Sequence, residues 1–141
     1  MEQTVEEIDA LRQDLDEETP TLRDQAAASK FMDSVYMGIE NTLLRILKFR
    51  DQDPPSGEHW HVQLFERFCA SGSPSLPVFF EGRWVERTDS FRRFRHVSRH
   101  GYSLDLDWER MRMGLEEARP VFDHFREQVE RFLAELKETN E

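Results

Sequence analysis

The chain has 141 residues, 38% of them hydrophobic and 34% charged, with a formal net charge of −10. That length suits one domain with a modest core, and eleven Phe and three Trp argue against disorder. An acidic total excludes a general nucleic-acid coat protein, whose surface is basic, but leaves room for a local anion site.

Residues 2–18 read as an acidic amphipathic helix, with Val5, Ile8, Leu11 and Leu15 at helical spacing. The stripe is narrow and heavily charged, which is compatible with packing on a bundle, with pairing, or with fraying. Thr19-Pro20-Thr21 interrupts it, so residues 1–24 are read as an N-terminal helix or arm and 25–141 as the main domain. Residues 22–50 form the next predicted helix, a central core element whose apolar face carries Phe31, Val35, Met37, Ile39, Leu43, Leu44, Ile46 and Leu47. Tyr36 is read as a core-edge residue. Asp51-Gln-Asp-Pro-Pro-Ser-Gly57 is a loop. A third helix is expected from Glu58 to about Ser71, with Trp60, Val62, Leu64, Phe65, Phe68 and Cys69 supplying apolar contacts. Ser71 to Pro77 is a second loop, and Val78-Phe79-Phe80 is ambiguous between an extended segment and a helical turn.

A fourth helix is predicted over 84–99, with Trp84, Val85, Phe91, Phe94 and Val97 facing inward and Gly101 as a C-terminal stop. A last helix, capped by Asp105 or Asp107, runs to about Lys137, and Pro120 is expected to bend or split it. No alternating strand pattern and no repeat is present. The expected fold is all-α, an up-down bundle of four to five helices.

Cys69 is the only cysteine, so no internal disulfide is available and a reducing cytoplasm is expected. It reads as a small apolar group rather than a nucleophile. The acidic opening residues lack a signal-peptide pattern. No apolar run approaches the roughly 18 residues of a membrane span, and no membrane partner is expected.

Chemistry concentrates between Ser90 and Leu104. This stretch has no carboxylate but holds Arg92, Arg93, Arg95, Arg99, His96 and His100. Arginine, which outnumbers lysine sixteen to three, holds phosphate in a fixed geometry better than lysine does. On a regular helix Arg95 and His100 subtend about 500° and diverge by about 140°. They share a site if the helix ends between them, and Gly101 marks an end. Arg119 and His124 repeat the spacing inside the last helix, so spacing alone says little. The break, Tyr102 and the clustered arginines distinguish the first pair. Without further context, a helix C-terminus attracts Arg and His through its dipole alone.

Phe94-Arg-His-Val-Ser-Arg-His-Gly-Tyr102, followed by Leu106-Asp-Trp-Glu-Arg110, resembles the signature of HepT-like proteins. These belong to the HEPN superfamily of helical-bundle ribonucleases, whose motif is Arg-x4–6-His. Arg95, His100 and Tyr102 match the Arg-x4-His-x-Tyr form, with His96 at a position often held by Asn. Tyr36-Met-Gly-Ile-Glu40 and Gly57-Glu-His-Trp-His61 are similar to the family's second and third helices. The resemblance covers roughly residues 28–138, while Pro77 to Trp84 departs from the pattern.

The resemblance implies a HEPN-like bundle and a metal-independent endoribonuclease toxin, active as a homodimer whose two Arg–His pairs line one cleft. Arg95 and His100 would be catalytic, with His96, Arg99, Arg92 and Glu40 in support. Tyr102 would be adenylylated by a cognate minimal nucleotidyltransferase antitoxin, placing negative charge beside Arg95. No cofactor and no metal is implied. The alternative is a catalytically inactive HEPN module that binds the nucleotidyltransferase or a nucleotide, with the acidic helix as an interaction arm; a purely structural dimerising bundle ranks third. Glu40 can reach Arg95 as an orienting carboxylate or remain a surface charge. His59-x-His61 argues little for a metal, because residues two apart on a helix diverge and nothing completes a ligand set.

Overall fold

The computed structural model describes residues 2–17, 21–70, 72, 74–100 and 108–139, with only the backbone described for 13–17, 22, 94–100 and 108–111. Among the described residues there are five helices: α1 (Glu2–Glu17), α2 (Leu22–Phe49), α3 (Trp60–Arg67), α4 (Arg83–His100) and α5 (Trp108–Thr139). No strand forms among them; one parallel bridge joins Cys69 and Phe80. The fold is the all-α bundle that the periodicity predicts.

α1 packs on α2 and α5. Its Val5 and Ile8 are fully buried in the common core, so that part of the stripe packs on the bundle. Arg119 of α5 fixes the helix from outside, donating to Asp9 Oδ2 at 2.9 Å and to Glu2 Oε1 at 3.2 Å. These hydrogen bonds, that to Asp9 above all, hold the Arg119 guanidinium above its ordinary pKa range.

α2 starts with a reciprocal capping box. Thr21 Oγ1 accepts from the Asp24 backbone N–H at 3.1 Å, and Asp24 Oδ2 accepts from the Thr21 N–H at 3.0 Å. The Thr21 backbone N–H first, and then the Thr21 side chain, hold the Asp24 carboxyl below its ordinary range. The 24/25 boundary drawn from sequence thus falls in the first turn of α2. Ala28, Met32, Val35, Tyr36, Ile39, Leu43, Ile46 and Leu47 line its buried face. Tyr36 lies in the core at 1% exposure, whereas Met37 is 38% exposed.

α3 is shorter than expected at both ends. The turn around Gly57 (φ +99°) delays its start to Trp60. Its end is set by a non-local contact: the Phe68 carbonyl accepts the N–H groups of Phe79 at 2.9 Å and Phe80 at 3.2 Å. The ambiguous 78–80 segment is therefore extended backbone tied to the end of α3. It delivers two aromatic rings to the core, where Phe79 stacks on Phe68 and meets Phe125 and Phe132 edge-on. Phe80 packs against Phe65 and Phe125.

α4 and α5 are joined by an Arg87–Glu117 fork, Nε to Oε2 at 2.6 Å and Nη2 to Oε1 at 3.2 Å. Pro120 does not split α5, which continues through it. The helix loses one backbone donor there, but Ala118, Val121 and Phe122 on either side are all buried. Leu133, near its end, is half exposed. Among the described residues no helix is long and apolar enough to cross a membrane.

Candidate functional site

The residues singled out by sequence lie at the C-terminal end of α4. Its backbone stays helical through His100, so the helix does not end between Arg95 and His100. The reason is local: Gly101 follows His100, and no Gly or Pro stands between the two. The side chains of Arg95, His96, Arg99 and His100, and all of Tyr102, lie outside the described residues.

Backbone register still sorts them. Arg95 follows Phe91 by four positions and Thr88 by seven, and those two are 2% and 1% exposed. Arg99 is seven after Arg92. His96 and His100 fall seven after Asp89 and Arg93.

Two arginines of the positive stretch are paired. Asp89, one residue before the carboxylate-free stretch, holds two of its arginines. Arg92 donates to Asp89 Oδ1 through Nε at 3.0 Å and Nη2 at 2.7 Å, and Arg93 Nε lies 2.9 Å from Oδ2. The Arg92 side chain is 15% exposed, so it reaches a phosphate only by giving up that pair.

Glu40 is deeply buried on α2, with its side chain 4% exposed, and its Oε2 lies 2.5 Å from His61 Nδ1 of α3. Sequence reasoning gave Glu40 the choice of Arg95 or the surface. Burial removes the second option, and His61 is a partner that reasoning missed. The available signal was that a buried carboxylate in an apolar face needs a partner. The Trp60 and His61 rings lie against each other with centroids 3.5 Å apart. Among the described residues no His, Cys, Asp and Glu group forms a metal-holding cluster. Thr88 Oγ1 is buried without a hydrogen-bond partner among them.

The second Arg-x4-His pair is structural. Arg119 clamps α1. His124 stacks flat on Trp84, centroids 4.1 Å apart, and its Nε2–H donates to the Phe79 carbonyl at 3.1 Å. Burial lowers the His124 pKa, the Phe79 carbonyl opposing it. Arg83 and Arg87 flank the Trp84 ring at 5.3 and 4.6 Å.

With this bundle in view, comparison with known families gives one match, to the HepT-like proteins, over residues 27–136. The chain belongs to the HepT-like family. The match includes Glu40, His61, Arg95, His100 and Tyr102, and it makes the HepT-like chain a HEPN-superfamily protein, as its motif implies. It omits α1, the element that Arg119 fastens to the bundle. No curated protein and no solved structure matches the HepT-like chain.

Proposed function

We propose that this HepT-like chain is a metal-independent endoribonuclease toxin, cytoplasmic and active as a homodimer. The observation that carries the reading is the family match, which spans the full Arg95-x4-His100-x-Tyr102 motif. The all-helical bundle agrees with it.

The chemistry follows from the residue types. The 2′-hydroxyl of RNA attacks the adjacent phosphorus, which needs a base, an acid for the departing 5′ oxygen, and a cation for the added charge. Histidine titrates in the neutral range and serves as base or acid. Arginine stays charged and stabilises the phosphorane. The helical register separates Arg95 from His100 within one chain, which favours a composite site: a two-fold axis brings the arginine of one subunit toward the histidine of the other. Arg99 and His96 share those two registers and support RNA binding. Arg92 contributes after release from Asp89, and Glu40 orients the site from α2. Adenylylation of Tyr102 by a cognate minimal nucleotidyltransferase adds phosphate charge beside Arg95 and closes the site to RNA.

The test uses the purified full chain on total RNA without added metal. Wild type cleaves; Arg95→Ala and His100→Ala do not. Cleavage that survives His100→Ala rejects the site. A second reading, an inactive HEPN module that binds the nucleotidyltransferase, is favoured by the pairing of Arg92 and Arg93 with Asp89. A folded wild-type dimer that leaves RNA intact but binds the nucleotidyltransferase selects it.

A further inference from the structure

The last turns of α2 present a cationic, aromatic surface that the motif chemistry does not use. Thr42 to Arg50 carries no carboxylate and holds Arg45, Lys48 and Arg50. Arg45 stands three and four positions before Lys48 and Phe49, so these three share one helix face. Arg45, Lys48, Phe49 and Arg50 are all exposed, Phe49 to 61%. The Arg50 guanidinium lies 5.7 Å from the Phe49 ring centroid and 5.6 Å from that of Phe132 on α5. Asp51, next in the chain, leaves the helix at φ +54°.

The pairing of charge marks this surface out. Arginines of α4 and α5 are held by carboxylates: Arg87 by Glu117, Arg92 by Asp89, Arg119 by Asp9. Among the described residues no carboxylate pairs with Arg45, Lys48 or Arg50. A helix dipole draws cations to a C-terminus, but it gives no reason to leave an aromatic ring in water among them. A single-stranded polynucleotide uses both features, since its phosphates meet the cations and an unpaired base stacks on the ring. A duplex keeps its base faces covered, and an acidic peptide needs only the charges.

The surface is separate from the motif. Trp84 meets His124 and Arg87 meets Glu117, so α4 runs back along α5 and its motif end points away from Phe132. At about 1.5 Å per residue, the Arg95 backbone stands roughly 30 Å along the axis from the Phe132 level. We infer that the C-terminal end of α2 is a second docking site for single-stranded RNA, with a base stacked on Phe49 and neighbouring phosphates held by Arg45, Lys48 and Arg50. The choice of RNA as the strand rests on the nuclease reading above; the stacking and charge do not.

The experiment measures binding without cleavage. The probe is a fluorescein-labelled 2′-O-methyl RNA strand of about 12 nucleotides, within the usual length of single-strand sites; it has no free 2′-hydroxyl to attack phosphorus. Its anisotropy is titrated with the full-length wild type, Phe49→Ala, Phe49→Trp and the double variant Arg45→Gln/Lys48→Gln, with thermal melting of each. Phe49→Ala should weaken binding by about 5- to 150-fold, the usual cost of removing a stacking ring, and Phe49→Trp should bind at least as tightly as wild type. The double variant should flatten the slope of log affinity against log salt by about 1.4, two charges at roughly 0.7 each. A duplex of the same sequence should not distinguish Phe49→Ala from wild type. Equal affinity of Phe49→Ala and wild type for the single strand overturns the inference, as does an equal loss on strand and duplex. So does a wild type that does not bind the probe. A changed oligomeric state of Phe49→Ala with unchanged affinity makes the ring a protein contact and also overturns it. Cleavage of total RNA is read separately: a wild type that binds the probe through Phe49 but cleaves nothing sinks the nuclease reading alone.

Discussion

Arg119 of α5 holds Asp9 of α1 through two nitrogens, Nε at 2.9 Å and Nη2 at 2.8 Å, across a separation of 110 residues. The pair is about 30% exposed on each side, so water screens part of its attraction. Arg119→Ala should nevertheless destabilise the protein by about 1–2 kcal/mol, since Asp9 keeps its charge without its cation. Urea denaturation checks this, and Asp9→Asn in the Arg119→Ala background should add little. A full additive loss would show that the two side chains act separately.

A chain starting at Thr21 should fold poorly. It loses the fully buried Val5 and Ile8, worth about 1.5–3 kcal/mol each, and it uncovers apolar surface on α2 and α5. The expected result is a lower melting temperature with exposed-surface dye binding. A truncated chain that melts with the full one would favour the division into an arm and an independent domain.

Gly72→Ala should be destabilising for a steric reason. A Cβ at this position would stand 2.4 Å from the Arg67 carbonyl oxygen and 2.7 Å from the Glu66 carbonyl oxygen. Backbone atoms at the end of α3 cannot swing aside as a side chain can. The cost should be about 1–3 kcal/mol, the range for forced overpacking. Gly57→Ala meets nothing within 4 Å and suffers only from its positive φ, which makes it the control for conformational strain.

His124 should make stability depend on pH below neutrality. Burial lowers its pKa in the folded protein from the ordinary 6.5. As pH falls through that ordinary value, the unfolded chain takes up a proton that the folded chain resists. Stability from this group is therefore complete above about 6.5 and declines below it, until the folded pKa is reached. Denaturation at pH 5 and 7.5 should show a larger acid loss for wild type than for His124→Gln. Equal losses would mean that the stacked ring on Trp84 titrates freely.

Much of the bundle is written in local pattern. The buried face of α2 follows the apolar spacing from Val35 to Leu47, and the Thr21–Asp24 capping box is a local signal of its start. What local pattern does not carry is the effect of distant groups. Phe68 and Cys69 are compatible with more helix, but the Phe68 carbonyl is taken by two N–H groups eleven and twelve residues on. Pro120 is a helix breaker by chemistry, and buried neighbours on both sides keep it in register. Of the candidate site, Glu40 was visible as a carboxylate in an apolar face. Its bond to His61 spans 21 residues and leaves no trace in either helix's periodicity. The reverse holds for α4, where motif spacing marked Arg95 and His100 while Asp89, just outside that window, determined how Arg92 and Arg93 are engaged.

The hydrogen bonds from Phe79 and Phe80 to Phe68 close the intervening stretch into a clasp whose two ends touch. Leu76 and the Gln52–Ser75 hydrogen bond tie this stretch to the bundle, while lengthening a loop of closed ends costs only logarithmically. The exposed Pro74–Ser75 stretch becomes a natural insertion point for an epitope or a fluorophore. A reporter placed there would follow unfolding of the bundle without interrupting any helix.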